Sequence, residues 1–281
     1  MAVDYQRQWN NLCTENDCFR SHQPILEFQV MDFVQRLRAK AAKKKKTIVL
    51  PEAADERMLK AAGQIIGQDI ASIILLGNAE TINIKLAELS IAADKLTIID
   101  PELSTYRQEF ARDYFEMRKH KGLSEDEAAT IMTDPLFFGA ILVQKGMADG
   151  MVAGAVNSTG NVLRAGFQIV GMNPDSSIVS SCFVMVKEEW DFGTNGMIVF
   201  GDCAVNPQPT AEQLASIAID TAATAKALCG FEPKVAMLSY STMGSGSGPD
   251  VDKVIEATRL VKEKAPHLMV DGPLQLDAAL V

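Results

Sequence analysis

Between residues 47 and 156, short runs of aliphatic and β-branched residues alternate with longer stretches of helical period, and this alternation leaves few folds open. The runs "TIVL", "ASIILLG", "LTIID" and "GMVAGAV" are apolar throughout rather than at every second position. That is the pattern of strands covered on both faces. Between them stand the helical stretches "DERMLKAAGQIIGQ", "AETINIKLAEL" and "STYRQEFARDYFEMRKHKG". Strand, helix, strand in this order predicts a parallel sheet with helices packed on either side, an α/β fold. Ser124 and Glu127 have the spacing of a capping box at the start of "SEDEAATIM", and "DPLFFGAILVQKG" then reads as a buried helix.

A second group of strands follows: "SSIVSSCFVMV", "GMIVF" and "KVAMLSY", with Thr210 and Gln213 capping the small-residue helix "AEQLASIAIDTAATAKALC". The segment "EEWDFGTNG" predicts a hairpin with a four-residue turn. This change of style puts a domain boundary near residue 174, giving a first α/β domain over 31–174 and a second over 175–281. Residues 1–30 hold two cysteines, one of two tryptophans and no clear period. They read as an N-terminal extension, non-native or disordered, with Met31 as the natural start.

Charge narrows the partners. A formal net charge of -9 is unsuited to coating nucleic acid or an anionic membrane, so an anionic ligand must be held by local cations and amides. No run approaches the roughly 18 apolar residues of a membrane span, and the start lacks a signal-peptide pattern, so the chain reads as cytoplasmic. Five cysteines without a second metal-binding pair read as reduced thiols, with Cys182, Cys203 and Cys229 expected to be buried. Three histidines without HExxH, and no GxSxG, give no metal site and no hydrolase elbow.

Three elements have the makings of an anion site. "SYSTMGSGSG", residues 239–248, lies between a strand and a helix that Pro249 opens, and carries Ser241, Thr242, Gly244, Ser245, Gly246 and Gly248. Glycines at positive φ would let its amides converge on an anion, although the same composition also makes a plain linker, and the GK[ST] ending of a nucleotide loop is missing. "NSTGNVLRAGFQIV" places Ser158, Thr159 and Gly160 at a strand-to-helix turn, with Arg164 about one turn inside the helix. "RKHKG", from Arg118 to Gly122, concentrates positive charge at a helix carboxyl end. Together they point to a ligand with several phosphates, or to a phosphorylated substrate; each alone is also readable as a solvated surface.

"KTIVLPEAADERMLKAA", "RKHKGLSEDEAATIM", "ADGMVAGAVNSTGNVLRAGFQIV", "VAMLSYSTMGSGSG" and "VDGPLQLDAALV", in this order, resemble the phosphate acetyl/butyryltransferase family from about Met31 to the last residue. The resemblance implies two three-layer α/β domains with a cleft between them, of the isocitrate/isopropylmalate dehydrogenase-like kind, usually in a homodimer. It implies acetyl transfer between acetyl phosphate and coenzyme A, releasing or consuming phosphate, without metal or cofactor. By position, Arg118 and Arg164 match the family's coenzyme A-binding arginines, and the loops at 158–160 and 241–247 match its cleft-lining segments. Asp271 and Asp277 fall in a recurring family segment of structural or functional role. Family members continue beyond the position of Val281 with a "NDLSRG" segment and a downstream aspartate base, so the catalytic groups are expected outside this chain and its own activity low. Butyryl transfer and a non-catalytic acyl-CoA-binding module remain the alternative expectations.

Overall fold

The computed structural model describes residues 33–187 and 190–280. Cys13, Cys18 and the expected extension over 1–30 lie outside them. The chain enters through helix α1 (Phe33–Lys43), which buries no side chain but reaches a distant segment: Lys40 Nζ donates to the Ala227 carbonyl at 2.7 Å.

Strands β1 (Thr47–Leu50), β2 (Ser72–Leu76), β3 (Leu96–Ile99) and β4 (Gly150–Met151) form one parallel sheet in the order β3-β2-β1-β4. Both faces are covered, as the continuous apolar runs require. On β2, Ile73 and Leu75 pack with Leu59, Ala62, Ile82 and Leu86 of helices α2 (Glu56–Gly67) and α3 (Ala79–Glu88). Ile74 and Leu76 point the other way, into a cluster with Phe110 of α4 (Arg107–Arg118) and with Phe138 and Ile141 of α6 (Pro135–Gln144). The two-residue period of the strand thus divides one run between two cores.

Helix starts follow the capping chemistry in the sequence. Asp55 and Asn78 cap α2 and α3, and Asp134 caps α6 with Pro135 in its first turn. Ser124 and Glu127 form the full reciprocal box on α5 (Glu125–Ile131). Ser124→Ala therefore removes one satisfied amide and should lower stability by about 1 kcal/mol in urea unfolding. Every residue from Leu136 to Leu142 is buried. At Gly139 a Cβ would come within 2.9 Å of Met151 Sδ and 3.1 Å of Val49 Cγ1, so this glycine sets how closely α6 approaches the sheet.

Beyond α7 (Thr159–Ala165) and the π turn Gly166–Val170, strands β5 (Cys182–Val186) and β6 (Met197–Gly201) pair antiparallel. The hairpin is present, with a longer connection than the predicted four residues: its register closes at Val186↔Met197. The tight turn within it is Asn195-Gly196, at φ 54° and 70°, values that asparagine and glycine tolerate best. Helix α8 (Ala211–Cys229) starts on the Thr210–Gln213 box. It packs through Ala215 and Ala218 against Val254, Ala257 and Val261 of α9 (Pro249–Lys264), over the parallel pair β7 (Lys234–Leu238) and β8 (Met269–Leu274). A short helix α10 (Leu276–Leu280) follows.

The cysteine expectation needs correction. Cys182, Cys203 and Cys229 are free thiols, but none is buried, and Cys203 is exposed beyond the end of β6 with its thiol directed at the Phe200 carbonyl, 3.2 Å away.

Candidate functional site

The carboxyl end of α4, the turn after it, α5, the start of α6 and the end of α7 line an open cavity of about 470 Å³. Arg118, Lys121 and Arg164 line it, with Tyr114, Phe137 and Gln168. Arg118 closes α4, and the chain continues through one 3-10 turn, Lys119–Lys121, to Gly122 at φ 86°. In such a turn residues three apart lie on the same side, which brings Lys121 round beside Arg118. Lys119 is taken up by Glu116 at 2.5 Å, and His120 is exposed. Of the four side chains of "RKHK", therefore, the first and fourth face the cavity, and Gly122 after them lines it too.

Two carboxylates also line it, and both are engaged. Glu127 accepts from Ser124 N and Oγ, each at 2.8 Å, and Asp134 accepts from Leu136 N at 2.8 Å. Arg118 and Lys121 have no hydrogen-bond or ion-pair partner among the described residues. Arg164 is braced rather than neutralised: Nη2 donates to Asn161 Oδ1 at 3.0 Å, and the guanidinium lies 5.8 Å from the centre of the Phe137 ring. Tyr114 donates its hydroxyl hydrogen to Gln168 Oε1 at 2.6 Å. Burial raises its pKa against the pull of Arg118 and Arg164, so it stays a neutral donor. Three cations stand here in a chain of net charge -9. An anion with several oxygens suits them, since a guanidinium fork matches phosphoryl geometry and each charge-assisted hydrogen bond contributes about 1.5–3 kcal/mol.

The other residues singled out in the sequence sit elsewhere. Ser158 caps α7, its Oγ accepting from Asn161 N at 3.3 Å; it, Thr159 and Gly160 are exposed at the opposite end of the helix that carries Arg164, and none of them lines the cavity. The 241–245 loop does not line it either. Its hydroxyls hold the loop itself together. Ser241, 1% exposed, accepts from Gly246 N at 2.8 Å; Ser245 Oγ accepts from Thr242 N at 2.9 Å; Thr242 Oγ1 accepts from Gln275 N at 3.0 Å. Gly244 and Gly248 take φ 87° and 141°, whereas Gly246 does not adopt a positive φ. Asp271 Oδ1 accepts from the Gly272 amide at 3.0 Å, and Asp277 is exposed on α10. A second cavity of about 250 Å³, lined by Ser181, Cys182, Asp220 and Thr221 among others, contains none of the residues expected to bind an anion.

Two carboxylates that no motif pointed to organise the loops at strand ends. Glu52, just past β1 and 6% exposed, accepts at Oε2 from Gly154 N (2.9 Å) and Ala155 N (2.7 Å). At Oε1 it accepts from Val156 N (3.0 Å), Asn157 N (2.6 Å) and Asn157 Nδ2 (3.0 Å). This explains why the expected strand "GMVAGAV" pairs only at Gly150–Met151: from Gly154 onward its amides turn to a carboxylate instead of a neighbouring strand. Asp202, just past β6, is caged in the same way by Ser181, by Ala204, Val205 and Asn206 amides, and by the Asn206 side chain. In both cases an acid directly follows an apolar run, "TIVLPE" and "MIVFGD", and that was the available signal.

Burial opposes the charge on Glu52, but the hydrogen bonds outweigh it and hold the carboxyl at about 2 instead of the ordinary 4.5. A depressed folded-state value stabilises above the unfolded value and is lost as pH falls through the folded one. Glu52 should thus contribute about 3 kcal/mol at pH 7, fading between pH 4.5 and about 2. Urea unfolding across this window should show the gap between the wild type and Glu52→Gln closing as acid is added.

Residues 32–281 match the family described as phosphate acetyl/butaryl transferase. The chain belongs to that family. Among curated members, the phosphate acetyltransferase of Clostridium acetobutylicum is 46% identical over 89% of this chain and 75% of its own length. That of Nitratidesulfovibrio vulgaris is 49% identical over 86% of this chain, which spans only 33% of that longer relative. Among solved structures, a phosphotransacetylase from Streptococcus pyogenes superposes with a TM-score of 0.83 at 40% identity, covering 89% of this chain and 74% of the other. EutD phosphotransacetylase from Staphylococcus aureus gives 0.79 at 37%, with 88% and 74% covered. The mixed α/β fold with its parallel sheet is therefore that of the phosphate acetyl/butaryl transferase family.

Proposed function

We propose that the chain binds coenzyme A through the cavity of Arg118, Lys121 and Arg164 and serves the reversible transfer of an acetyl group between acetyl phosphate and the coenzyme A thiol. The observation that carries this reading is the meeting of three cations in one cavity where the neighbouring carboxylates are already engaged. The names of the relatives supply the acetyl group and phosphate, and coenzyme A is the second carrier that the family resemblance implies.

The reaction joins sulfur to the acetyl carbon, breaks the bond from that carbon to the phosphate oxygen, and moves the thiol proton to a base. A thiol of pKa about 8.5 is only a few per cent ionised at neutral pH, so proton removal is one task. Holding two soluble substrates in register is the other, with roughly 7–11 kcal/mol available from orientation. Cations gathered at one cavity before binding, Arg164 among them already braced, meet the second task by gripping the phosphates far from the thiol. A cleft between two α/β domains meeting near residue 174, a homodimer and a cytoplasmic setting complete the proposal.

Titration calorimetry with coenzyme A tests the reading. Saturable binding, displaced by acetyl-CoA and weakened by salt, is expected. A folded chain that takes up no coenzyme A overturns it.

A further inference from the structure

We infer that Glu52 is a positioning residue for this cavity: seated at the end of β1, its carboxylate fixes the 154–157 strap and, through it, the placement of α7 and the angle at which Arg164 enters the cavity. The inference rests on the coenzyme A reading for its functional meaning. Its geometry stands apart from that reading.

Four consecutive backbone N–H groups, from Gly154 to Asn157, converge on one side chain. Such a concavity is ordinarily an anion-binding nest, and here the protein's own carboxylate fills it. Gly154 enters the strap at φ 111°, a conformation that a side chain would strain. The other side of the strap is held too: Arg57 Nη2 donates to the Ala155 carbonyl at 2.7 Å. Asp55 fixes that guanidinium through Nε at 3.0 Å and Nη2 at 2.7 Å. Amides and carbonyl are thus pinned from one stretch of chain, the turn after β1 and the first turn of α2.

No slack follows. Asn157 is the last residue of the strap, Ser158 is the cap of α7, and Arg164 lies in the last turn of that helix. The local holds on Arg164 are Asn161, on the same helix, and the Phe137 ring. The far end of α7 is seated by Ala165, buried in the cluster with Phe110 and Phe138, and just beyond it Gln168 accepts from Tyr114 of α4, whereas the strap ties the start of the helix to the sheet. A shift of the strap therefore tilts α7 about its buried end and changes the angle of the guanidinium.

A double-mutant cycle read by coenzyme A titration separates positioning from general loosening. Glu52→Gln should weaken binding about tenfold in the wild-type background and about tenfold in Arg118→Gln, yet by less than about twofold in Arg164→Gln, because its effect runs through that arginine. Equal losses in all three backgrounds overturn the inference. Should Glu52→Gln fail to fold, Arg57→Gln loosens only the carbonyl side of the strap and should give the same pattern at smaller size. Hydrogen exchange covers the case in which the wild type takes up no coenzyme A, which sinks the functional reading alone. The amides from Val162 to Ala165 should then exchange at least about tenfold faster in Glu52→Gln, and unchanged protection of α7 overturns the positioning role.

Discussion

Replacing Arg118 and Arg164 together by glutamine should weaken coenzyme A binding at least about a hundredfold while leaving the fold intact. Each arginine offers charge-assisted hydrogen bonds to phosphoryl oxygens, worth about 1.5–3 kcal/mol apiece, and about 1.4 kcal/mol is a factor of ten. Two such losses make about 3 kcal/mol at the low end of that range, the end appropriate to the exposed Arg164. Removing either alone should give about tenfold, since the remaining two cations still attract the anion. Because Arg118 has no internal partner among the described residues, its loss orphans nothing and should leave stability unchanged. Arg112→Gln, an exposed change on the same helix away from the cavity, is the control, and its titration should match that of the wild type. Wild-type affinity in the double variant would remove these arginines from the site.

The largest stability effect belongs to Phe138→Ala. Phe138 is 0% exposed, and its ring lies 5.0 Å from that of Phe110, tilted by 51°. Around it α4, α5 and α6 share one cluster against the sheet. Truncation removes the buried ring and leaves a cavity that the flanking helices cannot readily close, a loss of about 3–5 kcal/mol. In a chain of this size that lowers Tm by about 10 °C. Phe138→Leu, which retains most of the volume, should lose much less, and both are read by urea unfolding with a common m-value. An alanine variant within 1 kcal/mol of the wild type would mean that the cluster is not the core described above.

The sheet, its two covered faces and three of the helix starts were legible because they depend on neighbours in sequence. Continuous apolar runs identified buried parallel strands, and the boxes at Ser124 and Thr210 formed as their spacing required. The cysteines misled for the opposite reason: their exposure depends on which elements lie beside the end of β6 and the end of α8, and composition carries no record of that. Site residues divided along the same line. Arg118 and Arg164 stand out as cations near helix ends, and the structure brings them together. Ser241, Thr242 and Ser245 stand out equally, yet their hydroxyls are spent on amides of their own loop and of Gln275. A glycine and hydroxyl loop that holds itself together has the same composition as one that holds an anion. Glu52 escaped notice because its partners lie 102 to 105 residues away, where no local motif reaches. Lys121 fell within a recognised basic run, but only the 3-10 turn shows which member of that run stands beside Arg118.

The most direct measurement is a crystal structure of this chain with coenzyme A bound. The predicted result has phosphate oxygens of coenzyme A within hydrogen-bond distance, about 3 Å, of both Arg118 and Arg164, with Lys121 alongside. Coenzyme A seated elsewhere, with both guanidinium groups left in solvent, would contradict the account.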